Sequence, residues 1–155
     1  GPDGVRREPI GEFYIKAGTV DIRPGEIQTA ILIPQESYEN TYGHYIKYAM
    51  RSAMDIATLG TSVNLRLSAD KRYVERARIA FGVAGPVPLR ARTAEAAANG
   101  QLLTEELAER FAQAGREGIQ PRDSWRAAKD FRMHIAVESA KRAFLEAAKL
   151  AGGVL

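Results

Sequence analysis

The stretch Lys47-Tyr-Ala-Met-Arg-Ser-Ala-Met-Asp-Ile-Ala-Thr-Leu-Gly60 organises the rest of this chain. It begins in an extended segment that carries one lysine, passes through a polar turn with Arg51 and Asp55, and returns into an apolar run. This order predicts two neighbouring β-strands joined by a loop. Proteins commonly place ligand-binding residues on such loops, because the flanking strands fix the ends of the loop.

Three strands are predicted from this region onward, at about residues 44–50, 57–67 and 73–84. In the third strand charged and apolar residues alternate with a period of two, as expected for a sheet with one covered face. Residues 82–88 contain two prolines and are expected to end the sheet, since proline cannot donate a backbone hydrogen bond.

The N-terminal part also predicts β structure, over residues 5–34. Its turn is Arg23-Pro-Gly25, where proline presets φ and glycine accepts a positive φ. We expect Glu26 to hold this turn. A polar linker follows at residues 35–42, and the domain boundary is placed there, giving units 1–42 and 43–155.

Three helices are predicted to finish the chain. Thr93 and Thr104 can cap the first two. The last helix is expected to begin near residues 123–124, to run to about Leu150 and to close at Gly152-Gly153. It is apolar on two sides, which is typical of a helix packed between two layers. The predicted fold class is therefore α+β, a small three-stranded antiparallel sheet packed on a three-helix bundle.

Composition excludes several classes of function. The chain has 155 residues with 45% hydrophobic and 26% charged residues, which indicates an ordinary folded domain. Its 22 Lys and Arg residues are interspersed with 19 Asp and Glu residues, so no basic surface for nucleic acid is expected. It has no cysteine, which excludes disulfides, thiolate nucleophiles and iron–sulfur ligation by this chain. No apolar run reaches the roughly 18 residues needed to span a membrane.

Residue chemistry alone predicts no catalytic residue and no metal site. His44 and His134 lack carboxylates or a second ligand at suitable spacing. The serines lack a nucleophile motif around them. Gly82-Val-Ala-Gly85 leads into proline rather than into a helix, so it does not form a phosphate loop.

Five segments, taken in order and at their spacing, carry a resemblance to one protein family. They are Phe13-Tyr-Ile-Lys-Ala-Gly18; Gly25-Glu-Ile27 with Ile33-Pro34; Lys47 through Ala57; Ala80-Phe-Gly-Val-Ala84 with Pro86 and Pro88; and Ser124-Trp-Arg-Ala-Ala-Lys-Asp-Phe-Arg132. Together they resemble the FAD-binding subunit of molybdenum hydroxylases, and most closely that of bacterial xanthine dehydrogenase.

The resemblance implies a division of the chain. Residues 1–42 would be the last strands of an FAD-binding domain plus a linker, and residues 43–155 would be the C-terminal domain of the flavoprotein. The glycine-rich segments that hold most of the FAD lie upstream in this family, so the chain is expected to be incomplete and inactive alone.

The resemblance also implies four cofactor-binding residues. Gln28 matches the position whose backbone lies against the isoalloxazine ring, and Lys47 matches a lysine that approaches the flavin. Arg51 and Asp55 match a mobile loop beside the exposed face of the flavin. The alternative for the loop is that Asp55 only caps local backbone and Arg51 is solvated.

The implied reaction passes electrons from a purine substrate at a molybdenum cofactor, through 2Fe-2S clusters, to FAD and then to NAD+. The expected partners are the N-terminal half of the FAD subunit, an iron–sulfur subunit and a molybdenum-binding subunit, in the cytoplasm, with no nucleic acid and no membrane. Two alternatives remain open. In the first, the chain belongs to the FAD subunit of another molybdenum hydroxylase, whose substrate is carbon monoxide, nicotinate or an aromatic acyl-CoA. In the second, the chain is a non-catalytic subunit-docking module.

Overall fold

The N-terminal part of the chain carries little regular structure. The computed structural model describes residues 1–154. Two short strands form an antiparallel hairpin, with one-turn helices before and after it. These elements are α1 (Ile10–Phe13), β1 (Tyr14–Lys16), β2 (Thr19–Val20) and α2 (Gln35–Tyr38).

The prediction of continuous β structure over residues 5–34 is wrong outside this hairpin. Residues 26–33 form no strand, and Ile27 and Ile31 are 82% and 75% exposed. A strand needs a neighbour to receive its backbone hydrogen bonds. This β-prone segment pairs with no other strand within residues 1–154, so composition alone does not make it a sheet.

A cluster of charges around Arg6 holds the N-terminal segment together. The Arg6 guanidinium lies 2.8 Å from Asp21 and 2.8 Å from Glu26. Glu26 also accepts a hydrogen bond from the Arg23 N–H at 2.8 Å, so the expectation that Glu26 holds the turn is confirmed. The hydrogen bonds from Arg6 and then from the Arg23 N–H lower the pKa of the Glu26 carboxyl to about 2.

The remaining chain is one antiparallel sheet with its longer helices packed on a single face. The longest helix, α5 (Lys129–Leu150), packs against β3 (Tyr42–Tyr48) and β4 (Leu59–Leu67) on one side and against α4 (Glu105–Gly115) on the other. The elements are β3 (Tyr42–Tyr48), β4 (Leu59–Leu67), β5 (Val74–Gly82), β6 (Leu89–Arg90), α3 (Arg92–Ala98), α4 (Glu105–Gly115), a 3-10 turn (Arg116–Gly118) and α5 (Lys129–Leu150).

The sheet has four strands in the order β3-β4-β5-β6. The α+β class is confirmed, but the predicted count of three strands is wrong. The extra strand β6 contributes only two pairs to the edge of β5, Ala80 with Arg90 and Phe81 with Leu89. β5 ends at Gly82, before both prolines, and the expectation that residues 82–88 end the sheet is wrong, because the chain turns back after Pro88 and pairs with β5 for two residues.

The core lies between the sheet and the helices. Alternate residues of β4 are buried towards the helices, while the residues between them face the other side of the sheet. Phe81 from β5, Phe111 from α4 and Phe144 from α5 are essentially fully buried. The rings of Phe111 and Phe144 lie 4.8 Å apart between centroids, so this aromatic contact joins the two helices.

Of the two predicted N-caps, the structure contains one. The Thr104 hydroxyl accepts a hydrogen bond from the Leu107 N–H at 3.1 Å, which confirms its role as the N-cap of α4. Thr93 does not cap α3, because the helix begins one residue earlier and its N-cap is Ala91. A residue inside the first turn has helical dihedral angles and cannot serve as the cap.

The last helix ends as predicted and begins later than predicted. At its C-terminus Gly152 has φ +77°, and the Gly153 N–H donates to the Ala148 carbonyl at 2.9 Å. This is a Schellman motif, in which glycine accepts the left-handed conformation. At the N-terminus residues 124–127 form a separate turn, and α5 begins only at Lys129. None of the helices described over residues 1–154 combines the length and apolar character needed to cross a bilayer.

Candidate functional site

The connection between β3 and β4 is a loop of residues 49–58. Its base is closed by the Thr58 N–H, which donates to the Tyr48 carbonyl at 2.7 Å. Met50, Met54 and Ile56 on the loop are 62%, 95% and 62% exposed. The loop therefore has a fixed base and presents apolar side chains to its surroundings.

The Asp55 carboxylate accepts hydrogen bonds from the backbone of the loop. Its side chain is 9% exposed, and Oδ2 accepts a hydrogen bond from the Arg51 N–H at 2.9 Å. Burial acts to raise the pKa of this carboxyl, but the backbone N–H groups of Arg51, Met50 and Ile56 outweigh burial and lower the pKa. Asp55 therefore does cap the local backbone, which was one of the roles considered for it from the sequence. The same hydrogen bonds favour the ionised carboxylate.

Arg51 contributes to the loop through its backbone and its guanidinium. One guanidinium nitrogen donates to the Met54 carbonyl at 2.8 Å and lies 4.0 Å from Asp55 Oδ1. The side chain is 70% exposed, so most of it is solvated. Met54 takes a positive φ of 48°, and its carbonyl accepts the hydrogen bond from Arg51.

Lys47 connects the loop to the sheet. It lies near the end of β3, is exposed, and donates from Nζ to the Asp55 carbonyl at 2.6 Å. In the sheet register it stands opposite Gly60, which in turn stands opposite Gly82. Because side chains alternate along a strand, these three residues share the face of the sheet that is turned away from the helices. We call this the open face.

The open face is lined by small residues beside the loop. A Cβ atom added at Gly82 would meet nothing within 4 Å. A Cβ atom at Gly60 would come within 2.8 Å of the Tyr45 hydroxyl, so Gly60 leaves room for the Tyr45 ring to lie across it. Ser62 and Ala80 continue the row of small side chains between Tyr45 and the sheet edge.

The other end of the open face is basic and is partly covered. Arg76 donates to the Glu36 carbonyl and to the Thr41 hydroxyl, and Arg78 donates to the Ser37 hydroxyl at 3.2 Å. Residues 36–41 therefore lie across this end, while the end beside the loop stays accessible at Gly82.

The structure brings together three of the four residues predicted for the site. Lys47, Arg51 and Asp55 share one hydrogen-bonded network. Gln28 lies in the exposed N-terminal segment, outside any strand, and is not hydrogen-bonded to these three. Its role stays a prediction, as do the binding roles of the other three.

Sequence reasoning missed the neighbours of Lys47 on the open face. Gly60, Gly82 and Tyr45 become recognisable only when the register of three strands is known. The signal that could have found them is a pair of glycines, one near the start of β4 and one at the end of β5, which become cross-strand partners when the two strands are aligned. Among residues 1–154 no group of three or more His, Asp or Glu side chains is placed to hold a metal ion.

Residues 44–147 match the family described as the CO dehydrogenase flavoprotein C-terminal domain. The chain belongs to this family. The matched region begins in β3 and ends near the end of α5, so it contains the sheet, the helices and the β3–β4 loop. The resemblance predicted from the five sequence segments is confirmed.

Individual relatives agree with this assignment. The xanthine dehydrogenase FAD-binding subunit of Escherichia coli O157:H7 is 38% identical over 154 residues, which are 99% of this chain and 52% of that protein. Carbon monoxide dehydrogenase from Hydrogenophaga pseudoflava superimposes with a TM-score of 0.82 at 29% identity, covering 97% of this chain and 51% of the other. Quinoline 2-oxidoreductase from Pseudomonas putida 86 gives 0.79 at 25% identity, covering 90% and 47%. The chain spans about half the length of these relatives.

Proposed function

We propose that this chain is part of the FAD-binding subunit of a xanthine dehydrogenase-type molybdenum hydroxylase. In this proposal the β3–β4 loop and the adjoining open face contact the flavin ring. The observation that carries it is the position of Lys47. Its ammonium group donates to the Asp55 carbonyl at 2.6 Å, and Lys47 stands opposite Gly60 in the sheet register, which in turn stands opposite Gly82.

The open face fits the edge of a flat aromatic ring system. A ring can approach a sheet closely only where side chains are small, and Gly82 leaves its surroundings free within 4 Å. Tyr45 lies over Gly60 and offers a second aromatic surface at the same place. Aromatic groups attract one another in offset-stacked or edge-to-face arrangements.

The charge of Lys47 suits a ring that gains electron density. Lys47 is bound to a carbonyl oxygen and forms no ion pair with a carboxylate in residues 1–154. Its positive charge is therefore not neutralised by a direct partner. A fixed cation next to a redox ring stabilises negative charge that develops on the ring.

In the proposed subunit Asp55 and Arg51 keep the loop in place, and the backbone at Gln28 lies against the ring. The FAD, when bound, supplies electron transfer from 2Fe-2S clusters to NAD+. Iron–sulfur and molybdenum-binding subunits are the proposed partners in the cytoplasm, and a purine is the proposed substrate class.

The exposed N-terminal segment supports the proposed division into residues 1–42 and 43–155. Its large apolar side chains are far more exposed than those of the sheet and helices, with Ile31, Leu32 and Ile33 at 75%, 64% and 65%. Contiguous exposed apolar residues commonly mark a surface that other polypeptide covers. We assign residues 1–42 to the end of an FAD-binding domain plus its linker.

Charge reversal at Lys47 tests this proposal. The chain is mixed with a separate polypeptide that corresponds to the part of the Escherichia coli relative that it does not span, and FAD is titrated while flavin fluorescence is followed. We expect Lys47→Glu to weaken FAD binding about tenfold, which corresponds to about 1.4 kcal/mol. The matched control is Lys149→Glu, an exposed lysine in the last turn of α5, which should leave the affinity unchanged.

Equal FAD affinity in wild type and Lys47→Glu would contradict the role of Lys47. An absence of FAD binding by a folded wild-type complex would favour the alternative of a non-catalytic docking module, for which the exposed apolar segment is also suitable.

A further inference from the structure

The first turn of α5 contains a buried arginine that has no acidic partner. Arg132 is 3% exposed, and within residues 1–154 it forms no ion pair with a carboxylate. Burial lowers the pKa of its guanidinium, and Arg122 and Arg126 lower it further, while Asp123 acts in the opposite direction. A buried charge without a counter-charge is costly unless hydrogen bonds hold it.

The hydrogen bonds of Arg132 join two distant segments of the chain. One terminal guanidinium nitrogen donates to the carbonyl of Thr58, the last residue of the β3–β4 loop. The other donates to the Ser124 hydroxyl at 2.7 Å, in the turn that precedes α5. Next to Arg132, the Phe131 ring makes an edge contact with Tyr48, with centroids 5.9 Å apart. Arg132 therefore fixes the point where the loop returns to the sheet.

This point is connected to Lys47 by a short path. Thr58 lies three residues after Asp55, whose carbonyl accepts the hydrogen bond from Lys47 Nζ. The Thr58 N–H is bound to Tyr48, the neighbour of Lys47. A shift of Thr58 would therefore move the Asp55 carbonyl relative to β3 and change the place of the ammonium group.

We propose that Arg132 is a positioning residue that fixes the β3–β4 loop against the turn at Ser124 and so places Lys47 on the open face. The consequence for flavin binding rests on the function proposed above, whereas the effect on the loop does not. Arg132 acts through Thr58 and Asp55 and contacts no part of the open face itself. The segment from Ser124 to Arg132 carried part of the family resemblance. The hydrogen bond between its two end residues gives this segment a structural role.

Limited proteolysis of the whole chain tests the effect on the loop. Trypsin cleaves after Arg51 when the loop opens, and cleavage after Arg72 in the β4–β5 turn is the internal reference. In Ser124→Ala, which removes one partner and leaves the buried arginine in place, we expect cleavage after Arg51 to become roughly tenfold faster and cleavage after Arg72 to stay unchanged. Arg132→Leu should show a larger increase in the rate of cleavage after Arg51. Arg132→Lys keeps the charge but has a single donor group, so its rate should fall between those of wild type and Arg132→Leu.

The matched control is Arg142→Leu, because Arg142 lies on the same helix with its side chain 74% exposed in a surface pair with Glu138. It should leave both cleavage rates unchanged. Unchanged cleavage after Arg51 in folded Ser124→Ala would overturn the proposal. This outcome holds even where the Arg132 variants fail to fold.

The FAD titration separates this inference from the proposed function. In the reconstituted complex we expect Ser124→Ala to weaken FAD binding by a smaller factor than Lys47→Glu, since it displaces the lysine without removing it. If the wild-type complex binds no FAD, the proposed function fails, and the cleavage after Arg51 still decides whether Arg132 fixes the loop. Faster cleavage combined with unchanged FAD affinity would overturn the link from the loop to the flavin.

Discussion

Replacing Phe144 with alanine is expected to lower the free energy of unfolding by about 3–5 kcal/mol, the range for an aromatic side chain removed from a packed core. Phe144 is fully buried in α5, and its ring lies 4.8 Å from that of Phe111 in α4. The variant loses the burial of the ring, leaves a cavity, and separates the two helices that cover the sheet.

Urea unfolding followed by circular dichroism measures this loss. Phe131→Ala on the same helix is the control, because Phe131 is 44% exposed and touches only the edge of Tyr48 in the aromatic contacts. We expect the control to lose no more than about 1.5 kcal/mol. Similar losses in the two variants would contradict the placement of the core between α4, α5 and the sheet.

Replacing Glu95 with alanine is expected to cost about 3 kcal/mol of stability, as when one partner of a buried ion pair is removed. Its carboxylate is 8% exposed, accepts from Arg90 at 2.5 Å and 2.7 Å, and accepts from the Ile79 N–H at 3.1 Å. Four residues later, Asn99 at the C-cap of α3 accepts from the Ala77 N–H at 2.7 Å. The two side chains take the place of a neighbouring strand along the part of β5 that the short β6 does not reach.

Glu138→Ala is the control for this variant. Glu138 forms an exposed pair with Arg142 at 3.6 Å, with side-chain exposures of 48% and 74%, and such pairs contribute about 0.5 kcal/mol or less. Thermal unfolding of both variants gives the comparison. If Glu95→Ala is as stable as Glu138→Ala, the carboxylate does not protect the edge of the sheet.

Local signals in the sequence predicted the parts of the fold that depend on neighbouring residues. The alternation in β5, the Thr104 cap and the Gly152 end of α5 each follow from a few consecutive residues. The hydrogen bonds of Glu95 and Asn99 to β5 could not be predicted, because they join residues that are 16 and 22 positions apart. The same limit applies to β6, whose two pairs depend on how the chain turns after Pro86.

The site divides in the same way. Lys47, Arg51 and Asp55 lie within one short stretch, so a sequence resemblance was enough to select them together. Arg132 was part of a recognised segment, but its partner Thr58 is 74 residues away, and nothing local indicates that contact. Gln28 was predicted on a strand, and that strand needs a pairing neighbour that residues 1–154 do not provide.

The most direct test of flavin binding is an absorbance spectrum of the reconstituted complex after gel filtration with added FAD. The chain and the complementary polypeptide should elute together, with flavin absorbance that corresponds to about one FAD per complex. Each polypeptide alone should elute with less than one bound FAD. A complex that is folded by circular dichroism and elutes as one species without flavin absorbance would contradict the assignment of this chain to an FAD-binding site.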